Sequence, residues 1–113
     1  MNTMTITTEQ RREILAQIGM GRILSISGGR VRAIADGIEL PVSNGYSVRV
    51  QLTAGDDYVV SRVFRRGGKE WVKGSRERVY CDEVGETAYY AGMFRSYDAD
   101  EWITKSLTTT ISM

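Results

Sequence analysis

The residues of this chain best suited to chemistry are its arginines. Arg30 and Arg32 flank Val31 and share one face of a short extended segment. Arg49 lies on the polar side of an alternating run, Arg62 has the opposite parity to Val63, and Arg65 and Arg66 lead into Gly67-Gly68. Tyr46, Tyr58, Trp71 and Trp102 are interspersed among them. Guanidinium groups pair with phosphate oxygens in a bidentate fork, and flat aromatic rings stack on bases. The expected ligand-binding set is therefore Arg30, Arg32, Arg49, Arg62, Arg65, Arg66, Tyr46 and Trp71, facing an anionic nucleotide or single-stranded nucleic acid. A plainer reading carries comparable weight, because a polar strand face dressed with arginine needs no ligand, and aromatic side chains belong in cores. The aromatic signature of an RNA-recognition motif is absent.

Other residue types offer less. The chain has no histidine, which removes the commonest general base and transition-metal ligand. Cys81 is the one cysteine; with no histidine to activate it, it reads as a small buried hydrophobe on a helix. Asp56-Asp57 follows Gly55 in a turn, and Asp82, Glu83 and Glu86 fall on the outer side of a helix, so neither group forms a metal site by spacing. Gly19-x-Gly21 and Gly28-Gly29 lack the Lys-Ser/Thr of a phosphate loop and read as turns. No catalytic residue, metal or cofactor is expected, and the chain reads as a binding protein, not an enzyme.

Charge is divided along the chain. Residues 60–78 carry Arg62, Arg65, Arg66, Lys69, Lys73, Arg76 and Arg78 against Glu70 and Glu77, a balance of +5; residues 79–102 carry Arg95 against six acidic residues, a balance of −5. The whole has a net charge of only +1. Such a bipolar chain can take an anion at its basic part, or pair with a host protein or a second copy of itself. This second possibility, an interaction module with no small ligand, is the alternative reading. No apolar run approaches the ~20 residues that span a bilayer, and residues 1–8 lack the apolar core of a secretion signal, so the expected location is the cytoplasm of the host cell.

The elements that must position these residues can be read from pattern. Thr7 and Gln10 have capping-box spacing and open a helix over Thr8–Ile18, stopped by Gly19. Arg22–Ser27 and Arg30–Ile34 read as short strands. Ile38, Leu40 and Val42 alternate around Pro41, which suggests an edge strand. Asn44-Gly45 marks a tight hairpin into Tyr46–Thr53, the clearest alternation in the chain. Tyr58–Arg66 and Lys69–Lys73 follow, joined by Gly67-Gly68. Gly74-Ser75 would end the sheet, with Ser75 capping a helix over Arg76–Ala91 whose inner stripe is Tyr80, Val84, Ala88 and Ala91. Gly85 within it would allow close approach to the sheet. The expected fold is α+β: an antiparallel meander of five or six strands with an N-terminal and a C-terminal helix packed on one face. Residues 1–7 form a flexible tail, 8–94 a single domain, and 95–113 a tail that supplies an extra strand or an interaction segment.

Residues 14–92 also resemble a family of small phage and prophage proteins of unknown function. The resemblance is carried by Gly19, Gly21, Arg22, Ile23, Ser27 and Gly28, by Val48, Val50 and Leu52, by Asp56, Tyr58 and Val60, and by Val79, Tyr80 and Asp82. The chain departs from the pattern at Asp57, where the family has threonine, and after Arg95. The resemblance implies a phage origin and a shared fold, and brings no catalytic residues. Accessory proteins of this kind include antagonists of host defence, which makes counter-defence the expected setting.

Overall fold

The computed structural model describes residues 5–98 and 100–103. Its elements, in chain order, are α1 (Thr8–Ile18), α2 (Met20–Ser27), β1 (Arg32–Ile34), β2 (Gly37–Pro41), β3 (Tyr46–Leu52), β4 (Tyr58–Arg66), β5 (Lys69–Val79) and α3 (Val84–Gly92). The strands form one antiparallel sheet in sequence order, an open meander, and with the helices they give an α+β fold.

Helix α1 begins where the sequence places it. The Thr7 hydroxyl accepts from the Gln10 amide and the Gln10 side chain accepts from the Thr7 amide, so two otherwise unpaired donors are satisfied. Gly19 then breaks the helix at φ 93°. The segment expected to be a strand over Arg22–Ser27 is instead the body of α2. Its buried residues, Ile23, Ile26 and Ser27, fall three and four apart, the spacing of a helix face. A short apolar run has no reliable period of its own, and here the left-handed cap at Gly28 (φ 67°) completes a helix. Arg30 therefore lies in a connection, and β1 contains only Arg32–Ile34.

The hairpin turns fix the register. Asn44 and Gly45 both take positive φ, and Tyr46 N–H bonds to Ser43 O at 2.9 Å, the geometry of a tight hairpin. A Cβ on Gly45 would sit 2.5 Å from Arg65 O, so β4 crowds this turn. Strand β2 is not an edge strand: β1 pairs with it on one side and β3 on the other. Pro41 is tolerated because it is the last residue of β2, beyond the reach of β1, whose pairing stops at Glu39.

The largest correction concerns residues 74–83. Gly74-Ser75 does not end the sheet; β5 continues to Val79, with Ser75 opposite Ser61 and Arg76 opposite Val60. The register slips twice, and the slips coincide with positive φ at Gly74 (112°) and at Arg78 (57°), so two bulges bend a long strand. The helix starts only at Val84. Val84, Ala88 and Ala91 are buried as expected, whereas Tyr80 is exposed in the preceding turn. Cys81 is exposed too, not a core residue. Gly85 does permit a close approach, but to α1: an added Cβ would lie 2.9 Å from Ile18 O.

The core joins Ile14, Ile18, Ile23 and Ile26 of the helices to Ile38, Leu40, Val48, Val50 and Val60 of the sheet, with Val84, Ala88 and Ala91 of α3. It extends past both expected domain boundaries. Ile6, expected in a loose tail, is 3% exposed and bonds to Ala35 O; Trp102 is fully buried, with Tyr97 and Ile103 beside it. Residues 100–103 are helical, not a strand, and residues 104–113 lie outside the described chain.

Candidate functional site

The arginines of the sheet are organised by a residue that sequence reasoning passed over. Glu39 stands between Ile38 and Leu40, two core residues, and so projects from the opposite face of β2. The register sets it beside Arg32 on β1 and Arg49 on β3. Its side chain is 1% exposed, and three guanidinium groups converge on it. Arg65 donates to both carboxylate oxygens, to Oε1 at 3.0 Å. Arg32 reaches Oε2 at 3.4 Å and Arg49 reaches Oε1 at 3.5 Å. Glu70 closes the network at the surface, accepting from Arg49 and from Arg65 at 3.0 Å each.

Burial on its own would push the Glu39 carboxyl up, and it is the largest single influence. The hydrogen bond and charge of Arg65, with Arg49 and a hydrogen bond from Ser47, together outweigh it and hold the group below its ordinary value. Glu70 is likewise held low, first by the hydrogen bond from Arg49. Arg65 is raised, chiefly by its bond to Glu39, so it stays a cation.

A cleft of about 270 Å³ opens beside this network, lined by Arg30, Arg32, Ser43, Tyr46, Ser47 and Arg65 among others. Every charged side chain that lines it is an arginine. The Arg32 side chain is 56% exposed and spends one nitrogen on Glu39. Arg30 is held by its own neighbours, donating to Ser27 O at 3.0 Å and to Val42 O at 3.0 Å.

The structure divides the expected set. Arg30, Arg32, Arg49, Arg65 and Tyr46 gather around Glu39 and the cleft. Arg62 does not join them: it projects from the other face, 3% exposed, and donates to Ala91 O at 2.7 Å and Tyr90 O at 3.3 Å. There it satisfies carbonyls at the C-terminus of α3, where the helix dipole favours a cation, and its guanidinium lies 5.7 Å from the Trp102 ring centroid. Burial lowers its pKa, with nearby charges opposing. Arg66 and Trp71 lie at the β4–β5 hairpin, Trp71 beside Phe64 with centroids 5.7 Å apart. Glu39 was legible in principle by parity: Ile38 and Leu40 alternate inward, so Glu39 falls on the polar face of β2, as Arg49 does on β3.

The remaining candidates are local structure. Asp57 bonds to the Thr53 hydroxyl across the β3–β4 turn, and Asp56 there takes φ 67°. Among the described residues no three Cys, Asp or Glu side chains are grouped to hold a metal. No described helix is long and apolar enough to cross a membrane. No protein-family model, no curated protein and no solved structure matches the chain.

Proposed function

We propose that this chain is a non-enzymatic, phage-encoded accessory protein with a counter-defence role, and that it binds an anionic, nucleotide-type ligand by its phosphate. The phage setting rests on the resemblance of residues 14–92. One observation carries the ligand class: the cleft beside Glu39 is lined by Arg30, Arg32 and Arg65 and by no carboxylate. Glu39 sits behind these arginines as a support, fixing Arg65 and Arg49 in place so that less entropy is lost when a phosphate arrives.

Isothermal titration with AMP and with pyrophosphate tests the reading. Arg32→Ala should weaken binding about tenfold or more, the scale of a charge-assisted phosphate contact. Its melting temperature should change little, because the Arg32 side chain is 56% exposed and Glu39 keeps Arg49 and Arg65 when it is removed. Unchanged affinity in the variant would refute the cleft as the site.

A second reading, interaction with a partner protein or a second copy, is favoured by α2 and the segment after it, where Met20 is 64% exposed, Leu24 56% and Val31 42%. If this patch drives assembly, sedimentation velocity should show an oligomer that Leu24→Glu dissociates. A monomeric wild type across the accessible concentration range would remove self-assembly.

A further inference from the structure

The face of the β4–β5 hairpin opposite the Glu39 network carries a row of aromatic rings. Tyr46 stacks on Phe94 with centroids 4.1 Å apart, tilts against Phe64 at 4.9 Å, and Phe64 meets its cross-strand partner Trp71 at 5.7 Å. The inner rings are half-buried, while Trp71, at the end of the row, is 43% exposed. Cations lie along the row. Lys73 Nζ lies 6.0 Å from the Phe64 centroid and the Arg95 guanidinium 5.0 Å from that of Phe94. Alternation sets Arg66 and Lys69, paired across the turn, on the same face. No carboxylate shares this face between Tyr46 and Lys73 on β3, β4 and β5; Glu70, the one acid of β5 before Lys73, turns to the other side, where Arg49 and Arg65 hold it.

An exposed ring, braced from behind by other rings and rimmed by cations that form no ion pair among the described residues, fits one ligand chemistry well. A base has an aromatic face to stack on the ring, and its flanking phosphates match the cations. The base must be unpaired for its face to be reached. We propose that this surface binds single-stranded nucleic acid, with a base stacked on Trp71 and phosphates held by Arg66, Lys69 and Lys73. The inference rests on the reading of the cleft as a phosphate site and narrows the ligand to a chain of nucleotides. Tyr46 links the two surfaces, since it lines the cleft and belongs to the aromatic row.

The two tryptophans make the test direct. Trp102 is fully buried and Trp71 exposed, so quenching of intrinsic fluorescence by added ligand reports Trp71. The probes are a short oligothymidylate, an abasic deoxyribose-phosphate oligomer of the same length, a matched duplex, and AMP. Oligothymidylate should quench the fluorescence and bind at least tenfold more tightly than either the abasic oligomer or the duplex. Trp71→Ala should lose about tenfold or more in affinity for oligothymidylate, while Trp71→Phe keeps most of it. Lys69→Gln with Lys73→Gln should lower the slope of log affinity against log salt by about 1.4, two phosphate contacts at roughly 0.7 each, and does not depend on how Trp71→Ala folds. Equal binding of the abasic oligomer, or an unchanged affinity in Trp71→Ala, would overturn the stacking site. If AMP binds and oligothymidylate does not, this inference falls while the cleft stands; if neither binds, both fall.

Discussion

Glu39 and Arg62 are both charged residues buried in this sheet, on opposite faces, and each is satisfied differently. Glu39 is held by three cations; Arg62 is held by neutral carbonyls and a ring. The difference has a consequence for pH. The Glu39 carboxyl titrates below its ordinary value of 4.5 in the folded protein. The unfolded chain therefore binds the proton first as pH falls. The stability this group contributes is fully present above the ordinary carboxylate range, and is lost as pH drops through the lower, folded value. Glu39→Gln should destabilise the protein by about 2 kcal/mol or more at neutral pH, since the charge is lost and the amide nitrogen cannot accept from the guanidinium groups that both carboxylate oxygens serve. It should also flatten the fall in stability below pH 4.5. Urea unfolding at a series of pH values measures both effects. Parallel curves for the two proteins would show that Glu39 is not the group responsible.

At the scale of elements, what was legible depended on whether a segment's signal was local. Helix α1 and strands β3 and β4 carry their own caps, turns and alternation, and the structure agrees with them to within one residue. Strand β5 does not. Its Gly74 breaks the alternation, and the residues beyond it, Arg76 and Val79, fall at a spacing that suits either a helix face or a bulged strand. Only pairing with Val60 and Tyr58 decides the matter, and that contact is long-range. The same holds for the site: the arginines were visible by type, but their common partner Glu39 emerges only once the strands are in register. The bulges give a test. Gly74 sits at φ 112°, so Gly74→Ala should cost about 1 kcal/mol or more. Arg78 sits at φ 57°, where its Cβ is strained, so Arg78→Gly should be neutral or stabilise by up to about 1 kcal/mol. Thermal melts of the two variants should move in opposite senses or, at least, differ in that order; the reverse order would show that the bulges are placed elsewhere.

For the molecule as a whole, the meander sorts charge by end of the sheet. The turns at Asn44-Gly45 and Gly67-Gly68 lie at one end, because β3 begins where β4 finishes, and Arg65, Arg66 and Lys69 cluster there. The opposite end holds the turns with Asp36, with Asp56 and Asp57, and with Asp82 and Glu83. The turns at the two ends thus carry opposite charge, although Arg76 and Arg78 of the basic segment fall at the acidic end. Trp102 closes the structure from beyond α3, filling the space under Arg62.

The bulges in β5 bear on one more property. An open sheet of five strands has two edges, β1 and β5, and β5, eleven residues long, is the one long enough to recruit a strand from a neighbouring molecule. A straight edge of that length would be a template for runaway fibril growth. Here two kinks at Gly74 and Arg78 divide it into pieces too short to zip, and Lys69, Lys73 and Arg78 place charge along it. The distortion that hid this strand from its sequence also guards its edge against the addition of a further strand.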